Sequence, residues 1–183
     1  GFDFSSDDVL PPAPFDDWSA FAGGFGTVKS AQGSGSAAHK STVTPQSFTT
    51  LGDANADASS DGKGFGLGFA YSRCGVRFSV ADTTRVRLQT DLNASSEARA
   101  WARLTNAQGI RVIDITVTDG SQTADLTRAL PPGEYEFQIR ADASTTFNFV
   151  QGFAAAGSFY TGSFTHAPGC NGADLAPPTD VLD

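Results

Sequence analysis

An antiparallel all-β fold, two sheets packed as a sandwich of about nine or ten strands, is what this sequence predicts, and three observations predict it. Several segments alternate apolar and polar residues with a period of two, the mark of strands with one wet face. Turn-forming clusters such as "NAQG", "TDGS" and "LPPGE" separate these segments at short, regular intervals. The composition agrees: 183 residues include 20 Gly and 15 Phe, while Glu occurs only at Glu97, Glu134 and Glu136. Turn formers and β formers are plentiful, and a favoured helix former is scarce.

In chain order, residues 1–22 read as an N-terminal arm. Phe2, Phe4, Val9, Leu10 and Phe15 stand there among acids, and Pro11, Pro12 and Pro14 forbid a continuous helix or a central strand. The stretch "PFDDWSAFAGG" predicts one short helix. Pro14 suits its first turn, Asp16 and Asp17 its positive end, and Gly23 its termination. The sandwich domain follows over residues 23–168, and a C-terminal tail occupies 169–183.

Within the sandwich, "GFGLGFAYS" (64–72) sets Phe65, Leu67, Phe69 and Tyr71 on one face and Gly64, Gly66, Gly68 and Ala70 on the other. A bare glycine face lets another backbone come close. That backbone is expected to be the N-terminal arm or a loop of this chain, with a second copy as the alternative. "VRFSV" (76–80) turns Val76, Phe78 and Val80 to one side, and "RVRLQT" (85–90) alternates Val86 and Leu88 with arginines. "IRVIDITVT" (110–118) groups Ile113, Ile115 and Val117. "GEYEFQIRAD" (133–142) alternates Tyr135, Phe137 and Ile139 with Glu134, Glu136, Gln138 and Arg140. A last hairpin is expected over 145–165, turning at "AAAG", with Phe147, Phe149, Phe153, Phe159, Tyr160 and Phe164 mostly in the core.

The formal charge is −8, from 12 basic against 20 acidic residues. Such a surface repels polyanions on average, so nucleic acid is excluded as a partner. No apolar run approaches the roughly 20 residues that cross a bilayer, so no membrane insertion is expected. Met is absent, which predicts a processed start. Cys74 and Cys170 permit one disulfide and, with the Ser/Thr/Gly-rich surface, favour an oxidising, extracytoplasmic setting. If they pair, the long loop they close is worth about 4–5 kcal/mol in the chain-entropy model.

Candidate sites are few. In "DANADASSDGKG" (53–64), Asp53, Asn55 and Asp57 alternate as in oxygen-ligand loops that wrap Ca2+. The match to an EF-hand ends there, since Ala58 and Gly64 stand where its turn glycine and bidentate Glu belong. A solvated acidic turn is the preferred reading, and no cofactor is expected. Trp101, between Arg99 and Arg103, is the candidate sugar-stacking platform, provided all three face solvent. Its alternative is a core indole. His39 and His166 lack zinc-site spacing, Glu134 and Glu136 are the only glycosidase-like pair, and no nucleophile elbow or P-loop occurs, so the chain reads as non-catalytic. "NAS" at 93–95 is a glycosylation sequon.

Two resemblances complete the reading. "CNGADLAPPTDVLD" (170–183) resembles the start of the dockerin-like repeats of secreted bacterial proteins, through Asp174, Asp180 and Asp183. Ala176 and Pro178 replace expected oxygen ligands, so the likeness implies a secreted, surface-associated chain continuing past Asp183, with no calcium and no cohesin binding. Leu130, Pro132, Gly133, Tyr135 and Phe137 form an "L-x-P-G-x-Y-x-F" stretch similar to that of bacterial extracellular, jelly-roll-like surface modules. Such modules are structural, adhesive or carbohydrate-binding. The expectation drawn from the whole chain is a structural subunit of an extracellular assembly that binds copies of itself. Phe2, Phe4, Val9 and Leu10 of an exchanged arm and Gly64, Gly66 and Gly68 would make the contacts. The alternative is a carbohydrate-binding module recognising polysaccharide through Trp101, Arg99 and Arg103.

Overall fold

The computed structural model describes residues 18–28, 31–44, 47–62, 64–148 and 151–166. They form ten strands: β1 (Trp18–Val28), β2 (Ala31–Thr44), β3 (Ser47–Asp61), β4 (Phe65–Val80), β5 (Thr84–Ala94), β6 (Ala98–Asn106), β7 (Arg111–Val117), β8 (Gly120–Leu130), β9 (Gly133–Asn148) and β10 (Gln151–His166). One sheet has the order β1-β2-β3-β10-β5-β8 and the other β4-β9-β6-β7. All the paired strands are antiparallel. From β3 onward this is jelly-roll connectivity, in which successive strands cross between the sheets except at the β6–β7 hairpin. β2 and β1 widen the first sheet by a hairpin. The expected two-sheet sandwich is therefore the observed fold.

Strict alternation makes the core. β5 runs buried and exposed from Thr84 to Asp91, sending Val86, Leu88 and Leu92 inward, while β9 sends in Tyr135, Phe137 and Ile139 and β6 Ala100, Ala102 and Leu104. Phe48 and Phe137 meet edge to face at 6.0 Å, and Phe78 stacks on Tyr135 at 5.7 Å. The turn clusters fall where expected. Gly109, Gly120 and Gly133 take positive φ between β6 and β7, β7 and β8, and β8 and β9, and the Tyr135 hydroxyl donates to the Pro131 carbonyl across the last of these turns.

Three local expectations are corrected. The helix predicted to end at Gly23 is instead strand from Trp18 on, registered against β2 from Trp18↔Ser41 to Val28↔Ala31; the ladder offered by β2 overrides the local capping signals. The last pair of strands is no hairpin, because β9 and β10 belong to different sheets, and "AAAG" lies inside β10. Of its aromatics, Tyr160 is buried but Phe159 is exposed. Residues 53–61 are strand, not loop. The arm residues Phe2, Phe4, Val9 and Leu10, together with His166's side chain, Cys170 and the tail, lie outside the description.

The glycine face is filled from within. A Cβ on Gly68 would stand 2.3 Å from the Asp57 carbonyl oxygen, and one on Gly66 2.7 Å from that of Gln32. Gly33 and Gly35 of β2 would collide in turn with the Leu67 and Phe69 carbonyls. The backbone over this strand is that of β2 and β3, strands of the opposing sheet, in place of the expected arm or loop. Gly66 and Gly68 are not a surface for a second copy, and Gly64 sits in the turn before β4, its carbonyl accepting from the Ser60 hydroxyl.

Candidate functional site

The outward sides of the two sheets differ in chemistry. On the four-stranded sheet, Arg99, Trp101 and Arg103 share one side of β6, because Ala100, Ala102 and Leu104 take the core side. The indole is nevertheless only 8% exposed. The Arg103 guanidinium lies 4.3 Å from the ring centroid and is held there by its Nε, which donates to Asp114 Oδ1 at 2.9 Å. Arg103 and Arg111 together hold the Asp114 carboxyl below the ordinary carboxylate range. Trp101 is also registered between Arg140 and Thr116. Its ring face is occupied by its own neighbours, which corrects the expectation of an open stacking platform.

Next to it, Arg140 packs over Tyr71 at 4.8 Å and donates to Asp142. Glu134 and Glu136 border a depression of about 510 Å3 with Arg77 and Asn106. Arg77 lies 4.0 Å from Glu136, and Gln138 donates to the same carboxylate. Glu136 is thus held in a structural pair.

The outward side of the six-stranded sheet is built differently. Register aligns three rows across β2, β3, β10, β5 and β8. One row reads Lys40, Leu51, Thr161, Asp91 and Thr123, and the next Thr42, Thr49, Ser163, Gln89 and Asp125. They line a groove of about 560 Å3. Hydroxyls, an amide, an ammonium and carboxylates converge in it around one exposed aliphatic side chain, Leu51. The third row brings Asp53 and Asn93 to either side of Phe159, which is 45% exposed.

Local bonds fix part of this face. Arg87 reaches both oxygens of Asp125, and Gln89 donates to one of them, so that carboxyl too is held below its usual range. The Thr90 hydroxyl donates to the Thr161 carbonyl at 2.7 Å. Among the described residues, Asp91 keeps a long 3.5 Å contact from the Thr161 hydroxyl, and it is exposed. Asp53 and Asp57, expected in a cation loop, lie along this same side of β3 with Asn55, where Asn55 donates to Asp53 and Ser34 to Asp57. A flat strand spaces same-side residues about 7 Å apart and does not wrap an ion. Among the described residues no cluster of three or more His, Cys, Asp or Glu side chains assembles.

Sequence reasoning missed this face because it counted Phe159 among the core aromatics. The signal was present in "GSFYTGSFT", where Tyr160 and Phe159 necessarily point to opposite sides of one strand.

Beneath the face lies a buried polar cluster. His39 Nδ1 is hydrogen-bonded to the Tyr160 hydroxyl at 2.8 Å, and the Ser72 hydroxyl is 3.2 Å from the same oxygen. Burial lowers the His39 pKa to about 4 and raises that of Tyr160. Cys74, beside them, has no disulfide partner among the described residues, and burial pushes its thiol up to about 12, the opposite of a reactive cysteine.

No family model and no curated protein matches the sequence. Among solved structures the fold is similar to that of a carbohydrate-binding module, TmCBM61 in complex with β-1,4-galactotriose. The TM-score is 0.36 at 6% identity, over 88% of this chain and all of that one. It is also similar to a CBM4 module (TM-score 0.30, 8% identity, 68% of this chain and 66% of that one). A third likeness is to the enzymatically active domain of bacteriophage CBA120 tailspike protein 4 (TM-score 0.30, 11% identity, 80% of this chain and 19% of that one). Likenesses this distant carry nothing about function.

Proposed function

We propose that the chain is a secreted, non-catalytic module that binds a neutral polysaccharide across the outward side of its six-stranded sheet. The observation that carries this reading is Phe159. It is an aromatic ring nearly half exposed, between Asp53 and Asn93, one row from a groove lined by hydroxyl, amide and carboxylate groups. A sugar ring offers an apolar C–H face that stacks on an aromatic and a rim of hydroxyls that both donate and accept. The groove supplies both kinds of partner. Asp91, exposed and weakly engaged, is the natural acceptor for a pair of sugar hydroxyls. The acidic balance of the chain and the carboxylates along this face disfavour anionic glycans. Asn93 heads the sequon, and a glycan attached there would cover the same face.

The reading as a fibre subunit is not retained as the function, because the glycines meant to receive a second copy are occupied by β2 and β3. The test is isothermal titration against a panel of neutral polysaccharides with wild type, Phe159→Ala, Asp91→Ala and Trp101→Ala. Phe159→Ala should weaken binding tenfold or more and Asp91→Ala severalfold, each with an unchanged melting temperature. Trp101→Ala should lower stability instead. Binding indifferent to Phe159, or no binding across the panel, overturns the reading.

A further inference from the structure

Over its first seven residues β4 is turned inside out. Gly66, Gly68 and Ala70 make its inner side, closed against β2 and β3, so the large side chains of this stretch lie on the outer side of the four-stranded sheet. Phe65, Leu67, Phe69 and Tyr71 follow one another there, exposed by 47, 43, 50 and 46%. Scattered exposed apolar residues need no explanation, but a contiguous row marks a contact surface.

The row's surroundings suit a second copy of the same chain. On β9, Ser144 stands opposite Phe69 and Thr146 opposite Leu67, both exposed. This side of β4 carries no charge from Phe65 to Tyr71, and among its described β9 neighbours the first charge is Asp142, opposite Tyr71. The chain as a whole carries −8, so two copies repel on average, and an uncharged stretch lets them meet without placing like charges together. Half-exposed side chains of this size offer about 400 Å2 of apolar surface in the row. Two copies then bury about 800 Å2 of it, and a polar rim that includes Ser144 and Thr146 takes the contact past the roughly 1,000 Å2 of a specific interface.

We propose that this outer side of β4 and β9 is a dimer interface, on which a second copy lies face to face with the first. A two-fold axis running across the strands between Leu67 and Phe69 sets Leu67 of each copy over Phe69 of the other, Phe65 over Tyr71, and Ser144 over Thr146. One patch thereby covers itself, as a two-fold interface requires, and the two sheets stack at the ordinary spacing of about 10 Å. The six-stranded sheets stay outermost, so the dimer stands independently of the polysaccharide reading.

Sedimentation equilibrium of the full chain without glycan, from about 1 µM to about 1 mM, brackets the affinity of so small an interface. The wild type should pass from monomer to dimer over this range. Leu67→Lys and Leu67→Glu each set like charges about 7 Å apart along the strands, across the axis, and each should weaken the dimer about tenfold or more. An equimolar mixture of the two should restore it, since Lys then meets Glu, and that recovery also shows both variants to be folded. If neither folds, Thr146→Arg, at an exposed position of the same face, replaces them and should weaken the dimer likewise. A chain that stays monomeric throughout, or a dimer indifferent to these substitutions, overturns the proposal. A mixture no tighter than either variant alone overturns the face-to-face pairing.

Discussion

The two ends of this sandwich hold their sheets together by opposite means. At one end β2, β3 and β4 meet through Gly33, Gly35, Gly66 and Gly68 with Ala54, Ala56, Ala58 and Ala70, and backbone lies against backbone. At the other, Phe48, Phe78, Leu88, Leu104, Phe137 and Tyr135 fill the space between the sheets. Sheets separated by side chains stack about 10 Å apart. The glycine end removes those side chains and with them most of the apolar area that stabilises a core. What it gains is close dispersion contact along three strands. One end should therefore be intolerant of losing atoms and the other of gaining them.

Removing atoms from the filled end should have the largest effect. Phe137 is 1% exposed and packs against Phe48. Phe137→Ala should cost about 3–5 kcal/mol, the transfer term plus the cavity left behind. Urea denaturation reads this directly, and a loss below about 1 kcal/mol would mean that the side-chain end does not dominate stability.

The junction between the ends is polar and should respond to acid. The missing side chain of Gly52 makes room for the Tyr160 ring, which in turn hydrogen-bonds buried His39. His39 has its pKa lowered from 6.5 to about 4 by burial. Its folded-state pKa is below the unfolded one, so the unfolded chain binds the proton first. The contribution is complete above about pH 6.5 and is lost as pH falls toward 4, to about 3 kcal/mol in all. A His39→Gln chain should lose less stability than wild type between pH 6.5 and 5, where most carboxylates are still ionised. Parallel stability curves for the two chains over that interval would remove His39 from the account.

The filled end was the legible one. Residues 76–80, 85–90, 110–118 and 133–142 announce their strands because each alternates large apolar with charged residues, and burial follows that alternation without exception at Val86, Leu88, Phe137 and Ile139. The glycine end carries no such contrast. "AQGSGSAAHKST" and "DANADASSD" alternate small with small, so period-two reasoning took the second for a loop, although it is nine residues of β3. Close backbone approach was readable from "GFGLGF", but which backbone approached was not, because that depends on β2 and β3 crossing from the other sheet. The candidate face was the least legible part. Its rows are assembled from five strands by register, and no local segment contains two members of one row. The side of Trp101 was left open between solvent and core, and its cover comes from Arg103, whose rotamer the alternation pattern does not specify.

Two glycines sharpen the comparison to a single methyl group. At Gly33 the added Cβ would lie 1.8 Å from the Leu67 carbonyl oxygen, a backbone atom that no rotamer change can move aside. Relief requires β2 and β4 to separate, breaking the contact that defines that end, so Gly33→Ala should cost about 1–3 kcal/mol. At Gly109 nothing lies within 4 Å of the added atom. The penalty there is conformational alone: φ is +77° in the turn where the Gly109 amide donates to the Asn106 carbonyl. Gly109→Ala should cost about 1 kcal/mol through the left-handed backbone. The two chains should also differ in kind. Gly33→Ala should speed hydrogen exchange along β2 and β4 together, while Gly109→Ala should affect only the β6–β7 turn. Equal losses with equally local exchange would show that the glycine end yields like any loop, and that close backbone packing does not hold the sheets there.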